Sequence, residues 1–156
     1  MKLFLLGISI CIVFSSCFKP KVVPPSLPAE THEGKNTFGF YLNNQLWLPK
    51  SKGIDSSPAL SSYIQNGFSL AANHLNQYIV FSIYGLSSTG SYDLTASGNS
   101  VLFIDNADHY HCTKGLMTVT YLDGVKGIVS GEFSATMVND AGNVLTIDQG
   151  RFDTTF

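Results

Sequence analysis

The stretch "DHYHC", residues 108–112, gathers the side chains best suited to chemistry. In a strand, His109 and His111 point to one face, and a His-x-His pair can supply two zinc ligands. Asp108 and Cys112 then fall on the opposite face, so a third ligand would have to come from His74 or an aspartate elsewhere. Two ligands at one spacing do not make a site, and the pattern favours an exposed histidine pair at a hairpin. No metal and no other cofactor is expected.

The tail "GRFDTTF" holds the only arginine of the chain. In a strand, Arg151 and Asp153 share a face opposite Phe152 and Thr154. A planar guanidinium suits bidentate recognition of a carboxylate or sugar acid. The competing reading, which the pattern favours, is a local or cross-strand ion pair fixing the last strand. Trp47, together with seven tyrosines, offers a sugar-stacking platform. Aromatics are equally the material of β cores and cross-strand pairs. A carboxylate pair drawn from Glu132 and the aspartates would suit glycan hydrolysis. The chain has no Gly-x-Ser-x-Gly elbow, no phosphate loop, no dinucleotide fingerprint and no His-Glu-x-x-His motif, so a non-enzymatic role is expected.

Cys17 carries a different chemistry. Lys2 precedes a nearly unbroken apolar run from Leu3 to Phe14, too short to span a bilayer and the right length for a signal core. Small Ser15 and Ser16 follow. The block Phe14-Ser15-Ser16-Cys17 resembles a bacterial lipobox, with Phe14 standing where Leu or Val is usual. The resemblance implies cleavage after residue 16 and acylation of Cys17, and acyl chains hold a protein on a membrane. The organisation expected is therefore a signal peptide at 1–16, a Pro-rich tether at 17–36 and a β domain at 37–156. The tether holds four prolines, which favour an extended chain. Surface-exported lipoproteins often carry an acidic cluster after the lipidated cysteine; none follows Cys17, so the lipoprotein resemblance implies the periplasmic face of the outer membrane.

The elements that must position these residues have a period of two. "TFGFYL" places Phe38, Phe40 and Leu42 on one face, and Asn43-Asn44 turns the chain into "QLWL". Asn66-Gly67 is a hairpin signal. "YIVFSIY" is apolar on both faces, as an interior strand should be. "IVSGEFSATM" sends Val129, Phe133, Ala135 and Met137 inward. "HYHCT", "LMTVTYL", "NVLTIDQ" and "RFDTTF" read as separate strands of five to eight residues, too short for a membrane barrel despite the terminal Phe156. The fold class expected is all-β, a single antiparallel β-sandwich or open barrel of about nine to eleven short strands.

Three segments recur together in small uncharacterised Bacteroidota lipoproteins: "NTFGFYLNNQLWLP", "GLSSTGSYDL" and the tail ending in Gly-Arg-Phe-Asp. Over most of residues 37–156 the chain resembles this family of unknown function. The resemblance implies a lipid-anchored β domain and carries no catalytic residue with it.

Charge limits the partners. From Gly53 onward there are three basic and nine acidic residues, a surface that repels phosphate, so nucleic acid is not an expected partner. With Cys17 acylated, Cys112 has no intrachain partner and is expected to be a buried small hydrophobe. The function these observations favour is a binding or protein-interaction module of the cell envelope, held to the membrane through Cys17 and contacting an envelope protein or a glycan. The alternatives are a glycan-acting hydrolase and a purely structural envelope protein.

Overall fold

The computed structural model describes residues 24–53 and 58–156. The expected signal peptide and Cys17, the expected lipidation site, lie outside the described residues. The described chain is all β: β1 (Thr37–Leu42), β2 (Gln45–Trp47), β3 (Leu60–Ile64), β4 (Gly67–His74), β5 (Gln77–Tyr84), β6 (Gly90–Asp93), β7 (Ser100–Asp105), β8 (Asp108–Asp123), β9 (Ile128–Asn139) and β10 (Val144–Thr155). All ten named strands belong to one antiparallel sheet in the order β2-β1-β10-β9-β8-β7-β5-β4-β3, with β6 also pairing with β8. The sheet is curled into a half-barrel, so the open-barrel alternative describes it.

Turn chemistry explains the connectivity. Asn43 and Asn44 take positive φ values of 48° and 65°, the mirror-image turn that matches strand twist. Asn66 and Asn106 do the same in two further hairpins. From β3 to β10 the sheet is a near-continuous meander; the N-terminal strand β1 then adds beside the C-terminal strand β10.

The two ends of the strand order approach each other across the barrel. Trp47 Nε1 donates to Gln77 Oε1 at 2.7 Å, and the Lys50 amide donates to the Asn73 carbonyl at 2.7 Å. Ser62 Oγ on β3 donates to the Thr155 carbonyl on β10 at 2.6 Å.

The core is aromatic. The Phe133 ring lies 5.3 Å from Phe38, 4.8 Å from Phe81 and 6.4 Å from Phe152, joining β9 to β1, β5 and β10. Phe68 stacks on Phe152 at 5.8 Å across the barrel. Burying each such ring contributes on the order of 2–3 kcal/mol. Two glycines let the rings settle onto backbone. A Cβ on Gly131 would lie 2.2 Å from the Thr118 carbonyl and 2.9 Å from Phe152, and one on Gly150 would lie within about 2.5 Å of Phe133.

Two strands are longer than the periodicity implies. "HYHCT" and "LMTVTYL" are one sixteen-residue strand, β8, and the last two segments form the twelve-residue β10. Bulges explain the misreading: register shifts at Cys112/Lys114 and Val119/Tyr121 in β8, and at Ile147/Gly150 in β10, interrupt the alternation within continuous strands. The second bulge turns Leu122 inward to pack on the core and leaves Tyr121 opposite Ser130, against a strict alternation that puts Leu122 with Thr118. In β9, which lies between β8 and β10, the outward Glu132, Ser134 and Thr136 are all polar.

Candidate functional site: a strapped trough along β9

Asp153 organises the site. It pairs with Ser130 on β9 and Thr37 on β1, on the outer face of the sheet, yet its side chain is wholly buried. What buries it is the segment just before β1. The Thr31 hydroxyl donates to Asp153 Oδ2, the Gly34 amide to Oδ1 at 2.8 Å, and the Glu33 and Lys35 amides to Oδ2 at 3.1 and 3.3 Å. From beneath, Ser130 Oγ donates to Oδ1 at 2.8 Å. Burial pushes the carboxyl pKa up, but the Thr31 and Ser130 hydroxyls and the Gly34 and Glu33 amides outweigh it and hold the group at about 2.

Gly34 and Asn36 supply the curvature, with φ of 68° and 54°. Asn36 Oδ1 then accepts from the Thr155 amide at 3.1 Å, and Arg151 ties down the other end of the segment. The Arg151 guanidinium contacts Glu30 at 3.1 Å and donates to the Pro28 carbonyl at 3.2 Å. Residues 28–36 of the expected tether therefore form a strap bonded to the domain.

Arg151 and Asp153 share the outer face as the alternation indicates, but they are not each other's partners. Each holds the strap rather than fixing β10 by a local ion pair. Sequence reasoning missed this because the donors stand about 120 residues upstream. The available signal was local: "THEGKN" is turn-forming and proline-free within an otherwise Pro-rich stretch.

Beside the strap, the outer face of β8–β9–β10 carries a shallow continuous trough. Its first hollow, about 160 Å³, lies between His32 of the strap and Arg151. The second, about 340 Å³, shares Glu132 and Arg151 with the first and extends to Leu116 and Gln149. The third, about 450 Å³, shares Leu116 and Ser134 with the second and reaches Asp93, Lys114 and Asp148. The bulges of β8 and β10 flank β9, whose outward side chains form the floor. The small Ser134 on β9 and Gly115 beside it on β8 keep the trough shallow.

The trough mixes charges and hydroxyls. Glu132 faces Arg151 on one side and Thr118 on the other in register, and is exposed. Asp93 is kept below the usual carboxylate range by the amide and hydroxyl of Thr95, donating at 2.8 and 2.7 Å. At the strap end, His32 stacks on Tyr121 with centroids 5.1 Å apart and rings nearly parallel. Such a surface can hydrogen-bond an extended polar ligand over several residues.

The other sequence candidates lie elsewhere. His109 and His111 are exposed on the outer side of β8, opposite Ile104 and Leu102 of β7. Among the described residues, no group of three or more His, Cys, Asp or Glu side chains comes close enough together to hold a metal ion. Trp47 is 3 % exposed and stacks on Phe40 at 4.7 Å, a core residue rather than a surface platform. Tyr110 is buried, whereas Tyr63 and Tyr84 are well exposed at 58 % and 70 %. Cys112 is half-buried against the core, and burial pushes its thiol above the ordinary value.

No protein-family model matches the chain, and neither the curated proteins nor the solved structures contain a significant match.

Proposed function

We propose that this chain is a lipid-anchored β domain of the bacterial cell envelope that works as a non-enzymatic binding module, with the trough along β9 as its contact surface. The observation that carries the reading is the trough itself: open, continuous over three strands, and lined by hydroxyl and charged groups set among apolar ones such as Leu116 and Phe133. It is built on the sheet rather than on loops, so a partner meets a pre-formed surface. Anchorage rests on the lipobox-like residues before Cys17, and the resemblance to Bacteroidota lipoproteins supports the same location, the periplasmic face of the outer membrane. The partner is an envelope protein or a glycan presented as an extended chain.

The test is a crosslinked pull-down of tagged full-length protein from its native membranes, beside a Ser134→Arg variant that fills the trough floor. A partner or glycan recovered by the parent protein and lost from the variant is expected. Identical recovery from both would remove the trough from the function. Cys17→Ala should move the protein out of the membrane fraction; retention there would end the anchor reading.

A further inference from the structure

We propose that the end of the half-barrel bearing Leu75, Lys50 and Lys52 lies against an anionic membrane surface. This rests on the reading of Cys17 as the lipid anchor. Seven peptide units separate Cys17 from Pro24, the first described residue. Even fully stretched they reach about 25 Å, less than the diameter of a domain this size. The domain therefore sits close to the lipid, and the face near the strap's entry is the one turned towards it.

That entry is well defined. Pro28 and Leu48 close together over the α-carbon of Gly39. Two residues beyond Leu48, Lys50 is bonded into the β4–β5 hairpin: it bridges to His74, and its carbonyl accepts from the Leu75 amide at 3.1 Å. The strap entry, Lys50 and the hairpin tip thus form one neighbourhood.

The hairpin tip has the chemistry of a membrane contact. Leu75 is 45 % exposed and adopts φ of 53°, a left-handed conformation that Asn or Gly takes at lower cost. The fold thus holds a strained leucine out in solvent. Lys50 and Lys52 are exposed beside it, and Ser51, Lys52 and Leu75 line one shallow hollow with Tyr78. The neighbouring β7–β8 hairpin brings Asp105, engaged by Gln77 and Asn106, and exposed Asp108. The net attraction is therefore modest. The lipid supplies the binding, and this patch supplies the orientation.

Val125, 99 % exposed at the β8–β9 turn, marks the opposite end of the sixteen-residue β8 and serves as the control. Full-length lipidated protein in a Cys112→Ser background would carry a bimane label at Asn76→Cys or at Val125→Cys. It would be reconstituted into phosphatidylglycerol–phosphatidylethanolamine vesicles containing a doxyl-lipid quencher. Several-fold stronger quenching at position 76 than at 125 is expected. Leu75→Asn, which suits the left-handed turn, and Lys50→Glu with Lys52→Glu should each lower quenching at 76 while flotation stays unchanged. Protein that floats with the vesicles but shows equal quenching, or stronger quenching at 125, overturns the proposal and leaves the anchor intact. Protein that does not float overturns the anchor and the proposal together. Unchanged quenching in both patch variants would remove Leu75 and the lysines from the contact.

Discussion

The amide of Gly34 donates to the carboxylate of Asp153 at 2.8 Å across 119 residues of sequence. This bond and its four companions make one buried side chain the fastening point for the chain's approach to the domain. Each of these bonds has an ionised acceptor, the stronger class of hydrogen bond.

Asp153→Asn should therefore destabilise the domain by about 2–4 kcal/mol, because an amide nitrogen would face backbone donors. Urea unfolding monitored by Trp47 fluorescence checks this. Removing residues 24–35 while keeping Asp153 should also weaken the domain, since it strips the carboxylate of four of its five donors and uncovers the outer face of β10. A full-stability truncate would show that the strap is ornamental.

The same carboxylate sets a pH dependence. Its pKa is about 2 in the folded protein against an ordinary 3.8, so the unfolded chain takes up the proton first as pH falls. The stability Asp153 contributes is complete above about pH 4 and disappears as pH drops towards 2. Thermal melts between pH 5 and 2 should show a steeper decline for the parent than for Asp153→Asn. Parallel curves would contradict the assignment.

Gly131→Ala should be among the most damaging single-methyl changes in the chain. The added carbon would enter the Thr118 carbonyl, which is backbone and cannot rotate away. A loss of about 2 kcal/mol or more, or failure to accumulate as soluble protein, is expected from expression trials and melts. Gly142→Ala offers a contrast, since nothing lies within 4 Å of the added carbon and only its φ of 82° resists.

Phe133→Ala should cost about 3–5 kcal/mol, since its ring meets Phe38, Phe40, Phe81 and Phe152 from three other strands. Phe133→Leu should recover more than half of that. Calorimetry of both variants tests whether this ring is the centre of the core or one member among equals.

The Cys112 thiol should react slowly with a disulfide reagent at neutral pH, at least about tenfold slower than in denaturant, because burial raises its pKa. A time course of thiol modification in folded and unfolded protein decides it.

Period-two patterning made β1 and β9 readable residue by residue: Phe38, Phe40, Phe133 and Met137 all lie inside. The asparagine turns were equally visible, because positive φ has a narrow residue preference. Bulges were not, since an inserted residue such as Thr120 leaves no compositional trace. The trough was half visible. Glu132, Ser134 and Thr136 read as outward, but their neighbours depend on the register of β8 and β10. The strap showed only as the turn-forming "THEGKN"; its fastening was hidden, because a carboxylate's partners about 120 residues away cannot be read from spacing.

The pairing of β1 with β10 bears on how the protein is made. A polypeptide emerging from the ribosome or a translocation pore presents Thr37–Leu42 first and Val144–Thr155 last. Until the last strand arrives, β1 has only the three-residue β2 to pair with, and the strap has no carboxylate to grip. The domain therefore closes only once β10 has emerged, and a chain that lacks β10 leaves β1 with β2 alone.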